Sequence, residues 1–306
     1  MMDLATAIFV GTIAAATPML LAALGELVVE KSGVLNLGLE GMMLIGAAVA
    51  FWLAISGWGL PLAFVGGALA GMLASGLFAL LALVFLANQY ATGLALAIFG
   101  TGLSAMIGMG FGSQPVATLK PLAIPLLGDI PLLGPLLFRF DIVVYLTLAM
   151  VPAVWWWLTR SKSGLILRTI GESPENAHAI GYPVRRIRLA AILFGGAMAG
   201  LGGAYLSVAY VGIWVENMTA GRGWIALSLV VFAAWRPWRA LAGAVLFGGF
   251  TILQLHGQIL GLPLPSEALS ALPYLATIVA LVLISQKRRR GMEVPASLAR
   301  PFRPGA

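Results

Sequence analysis

Apolar runs follow one another with only short interruptions from Leu4 to Gln286, more apolar surface than a water-excluding core could hide in a chain of this length. Charged residues make up 9% of the 306 positions, against roughly a quarter in soluble domains, and the mean hydropathy is +0.99. The implied solvent is a lipid bilayer, where backbone N–H and C=O groups must be satisfied within the protein; runs of this length do so as helices. The expected fold class is an all-α integral membrane protein, a polytopic helical bundle of about nine spans within a range of eight to ten.

The expected spans lie near residues 4–25, 35–56, 60–87, 92–112, 141–158, 189–212, 223–235, 240–261 and 268–286. The first follows Asp3 rather than a basic residue and is too long for a signal-peptide core, so it is read as retained. Segment 223–235 falls short of the about 20 residues that cross a bilayer, which predicts a tilted, broken or re-entrant span. The organisation is one transmembrane domain over 1–286, with a long loop at 159–188 and a basic tail at 287–306.

Basic residues set the orientation, because Lys and Arg near span ends stay on the cytoplasmic side. The run Lys287, Arg288, Arg289, Arg290 puts the C-terminus inside. Counting back through nine crossings places 15 of the 18 basic residues inside, leaving Lys120, Arg139 and Arg222 outside with the N-terminus. Trp155, Trp156, Trp157, Trp235 and Trp238 fall at the expected cytoplasmic interface, and Trp58 and Trp214 at the opposite one. The net charge of +7 is thus a topology signal and an attraction to anionic lipid, and gives no argument for nucleic acid. The expected location is a bacterial cytoplasmic (inner) membrane.

Several chemistries are excluded. There are no cysteines, and the two histidines, His178 and His256, are far apart, so neither a metal site nor a serine–histidine–aspartate set is suggested. No G-x-x-x-x-G-K-[ST] phosphate loop occurs; ATP, if used, is used by another chain, and no cofactor is expected.

The 38 glycines concentrate within spans at spacings that let helix backbones approach, as in Gly67 with Gly71 and Gly196 with Gly200. The hexapeptides GGALAG (66–71) and GGAMAG (195–200) match closely on helices of opposite direction, which suits an inverted repeat.

Within the long loop, GESPENAHAIGYPVRRIR (171–188) encodes a two-turn helix. Ser173 caps it, Pro174 suits the first helical position, Glu175 favours the positive end of the dipole, Gly181 suits a left-handed terminus, and Pro183 stops continuation. A plain connection between two spans would need fewer residues. The small, partly apolar face formed by Ala177, Ala179 and Ile180 fits a partner's cleft.

Glu175, Asn176, Ala177 and Gly181 resemble the E-A-A-three-residues-G signature of permeases of ATP-binding-cassette importers, with Asn176 in place of the first alanine. The stretches ATPMLLAALGELVVEKSGVLNLGLEGMMLIGA (16–47) and GRGWIALSLVVFAAWRPWRALAGAVLFGG (221–249) are similar to permease subunits of nucleoside and simple-sugar importers, a branch of the branched-chain amino-acid permease family. That resemblance implies a second homologous permease in a heterodimer, two ATP-hydrolysing domains, and an extracytoplasmic lipoprotein that delivers substrate. It also implies a coupling helix carried by Glu172, Ser173, Pro174, Glu175, Asn176, Ala177 and Gly181.

An ionisable group at the centre of a membrane costs at least about 2.5–3.5 kcal/mol, so each one calls for a reason. Asn36 and Glu40 share one face of the second span, and Glu26 and Glu30 repeat that spacing just before it, near Lys31. They fit either a pathway lining or ties that hold helix ends. Before the short span, Glu216, Asn217, Thr219 and Arg222 with Gly221 and Gly223 fit either a solvated loop or a broken helix whose positive end meets a ligand. Asn88, Gln89 and Thr92 at one span end, and His256 with Gln254 and Gln258 in another, fit hydrogen bonds to a ribose or base, or ties between helices.

Three function classes follow: an importer permease for nucleosides or simple sugars, with branched-chain amino acids as the nearest alternative; an ion-coupled secondary transporter using Glu40; and an intramembrane enzyme on lipid-linked sugars, for which the outer loops hold too little charge.

Overall fold

A computed structural model describes residues 4–112, 114–122, 138–259 and 294–303, together with positions 134, 136, 271, 275, 278 and 279. The expected ninth span, most of the segment between 123 and 137, and the basic run at 287–290 lie outside the described residues.

The described chain is helical throughout its regular structure: α1 (Leu4–Lys31), α2 (Leu39–Ile55), α3 (Leu60–Ala79), α4 (Gln89–Gly108), α5 (Ile142–Arg160), α6 (Lys162–Glu172), α7 (Pro174–Ala179), α8 (Val184–Tyr205), α9 (Arg222–Phe232) and α10 (Pro237–Ile259). α3 runs on into a π-helical turn at Leu80–Val84, and α8 into another at Leu206–Val211. Among the described residues, six stretches are long and apolar enough to cross a membrane: Ala5–Lys31, Leu60–Val84, Gln89–Gly108, Ile142–Arg160, Val184–Val211 and Pro237–Leu255. α2 and α9, of 17 and 11 residues, are apolar but shorter.

Close approaches between glycines and neighbouring helices show how the elements run. Gly25 faces Gly195 while Gly202 faces Pro18, so α1 and α8 are antiparallel. Met43 meets Gly203 and Gly46 meets Gly200, both at the α2–α8 crossing, and Gly41 beside Ala97, with Leu37 on Gly93, makes α2 and α4 parallel. Gly11 against Ile252 and Gly248 against Thr12 make α1 and α10 antiparallel. A chain threading back and forth through a bilayer produces opposed neighbours of this kind.

The hexapeptides GGALAG and GGAMAG pack on each other where α3 crosses α8: a Cβ on Gly71 would lie 2.8 Å from the Gly200 backbone, and one on Gly200 would strike the Gly67 carbonyl. Without bulky side chains between them, α2, α3 and α8 dock backbone to backbone. α1, α2 and α8 form the centre, and α2 is buried on all sides from Leu39 to Ala48. Around them, α3 presents Leu62, Val65, Leu69, Leu73 and Leu77 outward at helical spacing, continued by Leu80 in the π turn, the pattern expected of a lipid-facing helix.

The tryptophans divide. Trp58, Trp155, Trp156 and Trp238 are exposed as interfacial residues should be. Trp214 instead packs in an aromatic cluster with Phe51 and Phe111, and Trp235 is buried because its indole N–H is used by a carboxylate.

Candidate functional site

The span expected at 223–235 is a continuous helix of 11 residues, α9, too short to cross a bilayer alone, and the break in regular helix comes just before it. After the π turn of α8, Gly212 takes a left-handed conformation (φ 74°), and residues 213–221 run without regular helix, with positive φ at Asn217 (55°), Ala220 (47°) and Gly221 (82°). This segment starts beside Trp214, whose indole abuts Gly108 at the end of α4, and arrives at Glu40, in the first turn of α2. There α9 begins and runs on to Trp235 beside Glu30. The break therefore lies within the bundle, between its two ends.

Glu40 occupies the positive end of α9. Its Oε1 accepts from the Thr219 hydroxyl (2.5 Å) and the Gly221 amide (2.9 Å), and its Oε2 from the Gly223 amide (2.6 Å). A carboxylate at a helix N-terminus satisfies orphan N–H groups and opposes the dipole, and charge-assisted bonds of this kind contribute about 1.5–3 kcal/mol each. Gly223 is required by proximity, since a Cβ there would stand 2.6 Å from the Glu40 backbone. Arg222 turns back and donates to the carbonyls of Met218 (3.3 Å) and Thr219 (3.1 Å).

A layer of buried polar groups continues from Glu40. The turn at 32–38 climbs back along α1, so the Asn36 amide donates to Glu26 Oε1 (3.0 Å) and the Leu35 amide to Gln89 Oε1 (2.9 Å). Asn36 Oδ1 accepts from the Gly38 amide (2.9 Å) at the start of α2, and its Nδ2 reaches Met42 Sδ (3.5 Å). Glu30 accepts from the Trp235 indole (2.6 Å), joining α1 to the far end of α9. One oxygen each of Glu26 and Glu30, and Gln89 Nε2, have no partner among the described residues.

The structure thus draws Asn36, Glu40, Gln89 and Thr219 into one buried layer, with Thr92 buried one turn further along α4. It separates others from that layer. Glu216 and Asn217 are exposed, and Asn88 caps α4 by accepting from the Ala91 amide (3.1 Å). His256 lies in α10, but its side chain is outside the described residues. Sequence reasoning missed Asp141, which caps α5 through the Val143 and Val144 amides and accepts from the Tyr205 hydroxyl (2.9 Å). Its position just before an apolar run was the available signal.

At the end bearing Lys31, Arg168, Arg236 and Arg239, which line one cleft, the loop after α5 folds into α6 and α7. Ser173 accepts from the Asn176 amide (3.4 Å), Pro174 opens α7, and Gly181 closes it at φ +94° with its N–H on the His178 carbonyl (2.9 Å). Glu172, Glu175, Asn176, Ala179, Ile180 and Gly181 are exposed. Ala177 departs from the expected outward face: it is fully buried against Ile170, Val184 and Phe302, so the surface offered to a partner is Glu175, Asn176, Ala179 and Ile180.

Residues 8–284 match the family described as branched-chain amino acid transport system / permease component. The chain belongs to this permease family. It is 39% identical to TsgC13 of Haloferax volcanii, an ABC transporter permease named for glucose, over 98% of both chains. It is 32% identical to the nucleoside ABC transporter permease NupC of Lactococcus lactis, over 89% of this chain and 90% of the relative, and 32% identical to the guanosine ABC transporter permease NupQ of Bacillus subtilis, over 88% and 89%. The protein is thus a membrane-embedded permease subunit of an ATP-binding-cassette importer rather than an enzyme; ATP hydrolysis belongs to separate subunits, and the family works with ATPase and substrate-binding partners.

Proposed function

We propose that this permease carries a nucleoside, or a related simple sugar, across a bacterial cytoplasmic membrane. The relatives named for nucleosides and glucose support a polar, uncharged substrate class over branched-chain amino acids. The observation that carries the reading is the engagement of Glu40: three donors at the entry to α9 hold both of its oxygens, so it acts as a helix cap. An ion-coupled transporter needs an embedded acid that is free to exchange its ion, and Glu40 is tied into the structure instead.

The topology in this reading has nine crossings, with the N-terminus outside and the C-terminus inside. Support comes from the opposed directions of neighbouring helices and from the basic residues gathered at one end. The matching hexapeptides of α3 and α8, each followed by a π turn, support an inverted repeat. α7 is the coupling helix, docking its exposed edge in an ATPase cleft. The translocation pathway forms against a second, non-identical permease, beside Glu216 and Asn217, and an extracytoplasmic lipoprotein delivers the substrate.

The experiment is uptake of labelled nucleosides and glucose into vesicles holding this chain with its partner permease, ATPase and binding protein. ATP-dependent uptake of either solute, competed by unlabelled solute of the same class, is expected. Uptake of leucine alone would replace the substrate class, and uptake driven by a proton gradient without ATP would overturn the role of Glu40.

A further inference from the structure

A helix ending inside a packed protein leaves carbonyls that need donors. α1 ends at Lys31 and α6 at Glu172, side by side, and a Cβ on Gly171 would strike the Lys31 carbonyl. In α1 the Val29 and Glu30 carbonyls are met locally by the Ser32 and Gly33 amides, whereas the Ser32 and Gly33 carbonyls just beyond, and that of Gly171 in α6, draw on residues far along the chain. The donors come from Arg188 in the first turns of α8 and from residues 294–303.

Arg188 is 1% exposed, and each guanidinium nitrogen is assigned: Nε donates to the Ser32 carbonyl (3.0 Å), Nη2 to the Ser297 hydroxyl (3.1 Å) and Nη1 to the Arg300 carbonyl (3.3 Å). Ser297 donates to the Gly171 carbonyl from both its amide (2.9 Å) and its hydroxyl (2.7 Å). The Ala299 amide donates to the Gly33 carbonyl (3.2 Å). Three residues on, Phe302 is buried among Ile170, Ala177 and Val184, with its ring against His178 of α7 at 5.5 Å. Gly33 is confined to glycine by this contact, because it has φ +87° and a Cβ would fall 2.7 Å from Arg188 Nη2.

We infer that residues 294–303, fastened by Arg188, are a positioning strap that holds α7 rigidly to the α1–α2 turn, so that force applied to α7 reaches the buried acid layer. At one end of the strap, Phe302 braces the inner side of α7. At the other, Ser297 and Ala299 hold Gly171 and Gly33, and three residues beyond Gly33 the Asn36 amide is bonded to Glu26. From there the chain enters α2 and reaches Glu40, the cap of α9. Every link is a hydrogen bond, a buried packing contact or a short run of chain between them, and a stiff connection of that kind transmits displacement where a flexible loop would absorb it.

The inference rests on α7 being the coupling helix. Its test uses the full importer in proteoliposomes, with uptake and ATP hydrolysis measured on the same samples for the complete chain, a chain ending at Val294, and Phe302→Ala. Both variants are expected to assemble with the ATPase and to hydrolyse ATP, while uptake per ATP falls at least tenfold and amide hydrogen exchange of residues 174–182 rises. Unchanged uptake per ATP in assembled variants would overturn the strap, and so would failure of both variants to fold, which would mark the segment as a folding element only. Ile180→Glu, at the exposed end of α7, is the control. If it leaves ATPase assembly and uptake intact, the coupling-helix reading is what fails; if it breaks them while the tail variants remain coupled, the strap alone fails.

Discussion

At the residue scale the most informative group is Glu40. Polarity and spacing mark it as needing a reason in the sequence, but its donors, Thr219, Gly221 and Gly223, lie about 180 positions away, and no local pattern encodes that pairing. Glycines at 221 and 223 do announce an unusual backbone, and the close approach of Gly223 to α2 explains one of them. Glu40→Gln keeps the shape but turns one acceptor into a donor facing N–H or O–H groups. It should destabilise the junction by about 2–4 kcal/mol, from lost charge assistance and one unsatisfied buried amide. The purified variant in detergent should then melt at a lower temperature than wild type, and uptake should fall with it. An unchanged melting temperature for Glu40→Gln would show that the carboxylate is not the cap.

At the element scale, α7 was legible almost to the residue, since Ser173, Pro174 and Gly181 act on their own neighbours. Its inward side was not, because Ala177 is covered by Phe302, which arrives 125 residues later. Trp235 misled for a similar reason: a tryptophan beside Arg236 reads as interfacial until Glu30 is found at its indole. Gly181→Val places a β-branched side chain at φ +94°, a strain of roughly 1–3 kcal/mol, although no neighbouring atom lies within 4 Å. We expect normal membrane levels with uptake strongly reduced, and partial recovery with Gly181→Asn, which tolerates left-handed backbone better. Immunoblots of membranes alongside uptake check both; normal uptake in the valine variant would remove α7 from coupling.

At the scale of the whole molecule, the apolar runs made the membrane setting and most of the helices plain, while the depth at which each helix packs depends on contacts between distant segments. Neighbouring glycines of α10 make the distinction measurable. A Cβ on Gly248 would stand 2.5 Å from the Thr12 carbonyl of α1, whereas one on Gly249 would touch only Thr12 Cγ2 at 3.7 Å, an ordinary contact. Gly248→Ala should therefore force α1 and α10 apart and destabilise by about 1–3 kcal/mol, while Gly249→Ala should be neutral or stabilise by up to about 1 kcal/mol through reduced backbone freedom. Thermal aggregation in detergent, read by size-exclusion chromatography, should place Gly248→Ala below wild type and Gly249→Ala level with it or above.

The capping of Glu40 by a segment so far along the chain also bears on biosynthesis. Translation at about 5–20 residues per second separates Glu40 from Gly223 by roughly 10–35 s. Throughout that interval α2 has left the ribosome carrying an acid whose three donors do not yet exist. Until α9 and the break before it are made, the first helical hairpin carries this acid uncompensated, and its cost of at least about 2.5–3.5 kcal/mol at a membrane centre is offset only when Thr219, Gly221 and Gly223 arrive as donors.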